Sequence, residues 1–112
     1  MVTKALFVRL EAKPGKAGDL EKLLKAAIEG IRAEPGTINW FILRLSETTF
    51  GIFDTFHDEA GRLAHTQGRM AAAFEKNAVP LLAGPPKIEP ADILGREVLS
   101  FAVGPDATLQ YS

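Results

Sequence analysis

Six side chains in this sequence are of a type and placement that invites chemistry: Asn39, Trp40, Arg44, Asp54, His57 and His65. The two histidines lie eight residues apart, and neither has an acidic residue or a second histidine at the i, i+4 spacing that a helical metal site uses. No metal site is therefore expected. With no cysteine in the chain, thiolate metal sites, iron–sulfur clusters, disulfides and cysteine nucleophiles are excluded together. No glycine-rich phosphate loop follows a strand, and there is neither a Gly-x-Ser-x-Gly elbow nor a His-Glu-x-x-His helix. Nucleotide-dependent, serine-hydrolase and zinc-protease reactions are disfavoured on these grounds.

What remains is a set of isolated polar groups in apolar surroundings. His65 falls about 100° round a helix from Ala64, at the flank of the face defined by Ala60, Leu63, Ala64 and Gln67, where it either borders a pocket or meets water. Asn39 stands on an otherwise apolar stretch; burying an amide is costly unless it is hydrogen-bonded, so it is expected to orient a ligand or to pair across an interface. Trp40 next to it should point to the opposite face as part of the core, with an indole N–H that needs an acceptor. Arg44 and Asp54 also interrupt apolar stretches and are expected to pair across a hairpin.

These residues must be held by a single core, because 112 residues make one domain of usual size. Residues 4–12 alternate, with Leu6, Val8, Leu10 and Ala12 on one face, and read as a first strand. After Lys13-Pro14-Gly15-Lys16, Leu20, Leu23, Leu24, Ala27, Ile28 and Ile31 recur at helical spacing as far as Glu34-Pro35-Gly36. Residues 37–45 and 50–57 are β-branched and aromatic, joined by a polar Ser46–Thr49 loop. Asp58 can cap a helix starting at Glu59 or Ala60; Gly68 separates it from a second helical run over 70–77, which Pro80 stops. A last strand fits within 87–98, and prolines 85, 86 and 90 point to an edge.

Strand, helix, strand, strand, helix, strand is the split βαβ order of the ferredoxin-like α+β fold, with both helical layers on one face of a four-stranded antiparallel sheet. Residues 1–98 form the expected domain and 99–112 a C-terminal tail. The second strand is apolar on both faces, with Ile38, Trp40 and Ile42 on one and Phe41, Leu43 and Leu45 on the other. A sheet with one wet face would alternate, so a second copy, or the folded-back tail, is expected to cover the outer face, and a homodimer is the reading preferred. A net charge of -1 gives no basic patch for nucleic acid or for a membrane surface. No apolar run approaches the ~20 residues of a membrane span, and no leader pattern opens the sequence, so a cytoplasmic location is expected.

The chain resembles the antibiotic biosynthesis monooxygenase family, the dimeric α/β-barrel proteins that include quinol monooxygenases. The likeness runs from about Lys4 to Leu94. It rests on the opening strand and Lys13-Pro14-Gly15-Lys16, on Glu34-Pro35-Gly36-Thr37, on residues 51–56 leading into Asp58-Glu59-Ala60 and His65, and on Leu81-Leu82 before Pro85-Pro86. The resemblance implies a homodimer with a pocket in each subunit that oxidises a small aromatic or quinol-like substrate with dioxygen and without a cofactor. On the same ground His65 takes an anion-stabilising or proton-transfer role, Asn39 a catalytic hydrogen bond to substrate, and Trp40, Phe53 and Arg44 substrate-binding positions. Haem-degrading relatives carry an asparagine on the first strand, which this sequence lacks. The alternative is a protein of the same fold that binds a small hydrophobic molecule, or serves a stress response, without turnover.

Overall fold

A computed structural model describes residues 1–99. The elements run β1 (Lys4–Glu11), α1 (Ala17–Ile31), β2 (Thr37–Arg44), β3 (Thr49–Phe56), α2 (Glu59–Thr66), α3 (Arg69–Ala78), a 3₁₀ turn over Val79–Leu81 and β4 (Lys87–Asp92). The strands form one open sheet in the order β2-β3-β1-β4, every pairing antiparallel. This is the ferredoxin-like α+β fold that the element order predicts. The proposed tail lies outside the described residues except at Leu99.

Local chemistry accounts for the boundaries. Gly15 takes φ +78°, a left-handed conformation that L side chains disfavour, and turns the chain between β1 and α1, which packs on the sheet. Asp58 caps α2 as expected, its Oδ1 accepting from the Gly61 N–H at 2.9 Å. Gly68 stands at the N-cap of α3, and a Cβ there would meet the Ala64 carbonyl oxygen at 2.8 Å. The last strand stops at Asp92, short of the stretch available to it, and all six of its residues are exposed. It is an edge strand, where Pro90 opposite Leu6 is tolerated.

The core forms where α1 lies on the sheet. Leu20 and Leu24 of α1 pack with Leu10, Phe50, Ile52, Ala78 and Leu82, all buried. Truncating either leucine to alanine removes ~2–5 kcal/mol by the usual cost of a core cavity. The other sheet face is also apolar. Phe7, Phe53 and Phe41 stand in register across β1, β3 and β2, the Phe41 and Phe53 rings 6.3 Å apart. Phe41 is 51% exposed, and Leu43 and Leu45 are exposed beside it.

Three details differ from expectation. A bulge between Thr37 and Asn39 interrupts the β2–β3 pairing, so strict alternation holds only from Asn39 onward. Arg44 and Asp54 do not pair: Arg44 is in register with Phe50 and forms its ion pair with Glu21 of α1. The inward face of α2 carries Gly61, Arg62 and His65, whereas Ala60, Leu63, Ala64 and Gln67 are all exposed. The reason is tertiary. Arg62 Nη1 donates to the carbonyls of Ala5 and Ala91, both at 3.1 Å, and His65 meets two carboxylates, so polar partners on the sheet outweigh the weak apolar stripe.

Candidate functional site

Between the helices and the sheet lies a cavity of about 360 Å³, within the size range of small-molecule pockets. Leu6, Val8 and Leu10 of β1 and Ile52 of β3 floor it; Ala27 and Ile31 of α1 and Met70, Ala71 and Phe74 of α3 roof it; Pro85, Pro86 and Ile88 stand at its rim. Alternation explains the floor, since these strand residues share the helix-facing side. Gly30 explains part of the roof. A Cβ on it would lie 2.0 Å from Met70 Cε, so its bare backbone lets α3 lay Met70 against α1.

Polar groups are few and concentrated. Trp40, Asp54 and His65 all line the cavity, and Trp40 is in register with Asp54. His65 Nδ1 lies 2.6 Å from Glu34 Oε1, and Nε2 lies 3.0 Å from Asp54 Oδ2. Thr37 Oγ1 donates to the same Glu34 oxygen at 2.8 Å. Where both carboxyl groups are ionised, carboxylates on opposite edges of one imidazole call for a hydrogen on each nitrogen, which is the imidazolium. Burial alone would lower the pKa of His65, but the hydrogen bonds to Asp54 and Glu34 outweigh it and raise the value to about 9. The Phe56 ring, 5.4 Å away by centroids, closes a further side.

Asp54 is the unusual member. It is 1% exposed, and its pKa is raised, chiefly by burial, against the lowering effect of His65. Its Oδ2 is occupied by His65, while Oδ1 has no hydrogen-bond partner among the described residues. A buried acceptor left unpaired costs ~1–3 kcal/mol, more when charged, and calls for an explanation.

A backbone contact positions the trio. Gly36 and Gly61 approach so closely that a Cβ on Gly61 would lie 3.1 Å from the Gly36 oxygen. That contact sets α2 against the turn after α1 and brings His65 to Glu34. The carboxylates sit on opposite edges of the ring, so their oxygens do not converge; among the described residues no cluster of three His, Cys, Asp or Glu side chains could hold a metal ion.

The expected site residues divide between the two faces of the sheet. His65 and Trp40 meet at the cavity. Asn39 faces the other way and accepts from Thr55 Oγ1 at 2.7 Å, on the face that carries Phe53 and Phe41. Arg44 lies over the Phe50 ring, 4.9 Å from its centroid, and does not line the cavity. Asp54 and Glu34 were not expected in the site. Asp54 had a legible signal, a lone carboxylate on the face of β3 that also carries Ile52 and Phe56; Glu34, in a Pro-Gly turn, had none. No helix among the described residues is long and apolar enough to cross a membrane.

The model of the family described as antibiotic biosynthesis monooxygenase matches residues 5–77. No curated protein matches significantly. Among solved structures, a protein of unknown function from Nitrosomonas europaea is 48% identical, with 89% of this chain and 97% of that chain covered and a TM-score of 0.84. A Pseudomonas aeruginosa protein is 25% identical over 85% of this chain and 97% of that chain, with a TM-score of 0.72. A candidate antibiotic biosynthesis monooxygenase from Caulobacter crescentus is 21% identical over 84% of this chain and 92% of that chain, with a TM-score of 0.75, a likeness of fold.

Proposed function

Since this chain belongs to the antibiotic biosynthesis monooxygenase family, we propose that it is a cofactor-independent monooxygenase acting on a small quinol-like aromatic in the cavity between sheet and helices. The observation that carries the reading is an apolar cavity whose wall holds His65 and the buried Asp54, joined in one charged cluster with Glu34 behind the ring. The chemistry asks for little more. A quinol and dioxygen give a hydroxyquinone and one water: the substrate supplies all four electrons, one oxygen atom replaces a ring hydrogen, and the other leaves as water. Deprotonating the quinol makes it the better electron donor. The protein contributes a site that excludes water and a polar group to manage that proton.

In this reading Trp40 is a wall of the cavity and His65 supplies positive charge beside the reacting oxygen. Asn39 and Phe53 belong to the opposite face, where a second copy of the chain packs to form the dimeric barrel. Support for that pairing is the aromatic row Phe7–Phe53–Phe41 with exposed Leu43 and Leu45, an apolar surface of the kind that marks association. Oxygen uptake with a panel of naphthoquinols and anthrones tests the activity. Uptake well above a His65→Ala control is expected; uptake indistinguishable from that control, across the panel, would sink the reading.

A further inference from the structure

We propose that Asp54 is the group that receives the hydrogen of a substrate hydroxyl, and that the cavity therefore takes neutral aromatic hydroxyl compounds and turns away aromatic carboxylates. This deepens the oxidation reading and rests on it for placing the substrate in this cavity.

The histidine beside it is already committed. An imidazole ring has two nitrogens, and both of those of His65 face carboxylates at hydrogen-bond distance, so neither can take up a substrate proton or donate to a ligand. Asp54 is in the opposite position. One oxygen holds His65, the other has no partner among the described residues, and the side chain, almost wholly buried, stands at the cavity wall. A hydroxyl donated to Oδ1 removes this unpaired acceptor. The same burial that raises the proton affinity of Asp54 makes it a stronger acceptor for a weakly acidic hydroxyl.

Charge decides what else fits. Glu34 from the turn after α1, His65 from α2 and Asp54 from β3 sum to one net negative charge, and Glu75 of α3 lines the cavity together with His65 and Asp54. The groups facing Asp54 from β2 and β3, Trp40 and Ile52, are uncharged. A ligand carboxylate would therefore meet like charge in apolar surroundings, while a neutral hydroxyl offers the hydrogen that the site lacks. In the step itself only the substrate O–H bond breaks. The proton moves to Oδ1, leaving a neutral carboxylic acid and an aryloxide, and the His65 charge beside them offsets the new anion. Nothing is oxidised in that transfer, and the proton later leaves with the water formed from dioxygen.

The test compares binding of 1-naphthol, naphthalene and 1-naphthoate to the full-length protein near pH 7, followed by calorimetry or tryptophan quenching. Wild type is expected to bind the naphthol roughly tenfold or more tightly than naphthalene, the gain of a hydrogen bond to a charged acceptor, and to bind the naphthoate more weakly than either. In Asp54→Asn the naphthol advantage should shrink and the naphthoate should gain about tenfold or more. A wild type that binds the naphthoate as well as the naphthol, or naphthol no better than naphthalene, or none of the three, overturns the proposal even if the variant does not fold. The predicted ranking without oxygen uptake on any quinol supports this assignment and removes the oxidation reading. Oxygen uptake that persists undiminished in a folded Asp54→Asn overturns the assignment and leaves oxidation in place.

Discussion

Nε2 of His65 lies 3.0 Å from Oδ2 of Asp54, joining helix α2 to strand β3 through an ion pair whose carboxylate is almost wholly out of water. Removing one partner of such a pair strands the other's charge, whereas neutralising both does not. The substitution His65→Gln should therefore lower stability by about 3–5 kcal/mol, read from urea unfolding. Adding Asp54→Asn to it should restore part of the loss, so that the double variant is more stable than the sum of the single losses predicts. Strict additivity would show that the pair is not coupled.

Stability should also depend on pH in a defined window. A folded pKa of about 9 for His65 exceeds the unfolded value of about 6.5, so its contribution is fully present below pH ~6.5 and is lost as pH rises through ~9. The shift corresponds to about 3 kcal/mol. Asp54 has the opposite sign, because its pKa is raised: its ionisation in the folded state disfavours folding, and that effect sets in at the acid end, above its unfolded value. Melting temperature should fall between pH 6.5 and 9 in wild type and stay nearly level there in His65→Gln. A wild-type melting temperature that does not change over that window would contradict the geometry.

The contact between Gly36 and Gly61 gives a third outcome. Gly61→Ala places a Cβ 3.1 Å from the Gly36 oxygen, so backbone must give, at ~1–3 kcal/mol, against a helix-propensity gain of up to ~1 kcal/mol. The informative readout is the His65 titration followed by NMR, which should move down from about 9 as Glu34 separates from the ring. Gly18→Ala, where a Cβ meets nothing within 4 Å, is the control and should not move that titration.

The outer sheet face supplies the fourth. If two copies pair there, Phe41→Asp should weaken the dimer by roughly hundredfold or more, since the change is made twice in a symmetric interface. Sedimentation across a concentration series reads this directly. A wild type that stays monomeric at high concentration would refute the pairing.

The framework of the fold was legible because periodicity and turn chemistry are local. Alternation over 4–12, the helical spacing of Leu20, Leu24 and Ile31, and the Asp58 cap each act within a few residues of themselves. The orientation of α2 was not legible. Its apolar stripe through Leu63 is weak, and what turns the helix inward is Arg62 reaching two backbone carbonyls and Gly61 meeting Gly36, contacts between segments far apart in sequence. The same reason hid the site. His65 looked partnerless because its partners stand 31 positions before it and on a neighbouring strand. Asp54 was visible as an oddity, yet hairpin proximity suggested Arg44, which the register instead sets opposite Phe50.

The origins of the cavity's parts bear on how its specificity can change. The charged trio comes from a turn, a strand and α2, whereas most of the roof, including Ile31, Met70 and Phe74, comes from α1 and α3. Exchanging one roof residue for another apolar one alters the size and shape of the space without touching the ion pairs. Under the proposed function, substrate range can thus drift by neutral steps while the charged trio is preserved, and a library confined to those three roof positions varies the space with the ion pairs left in place.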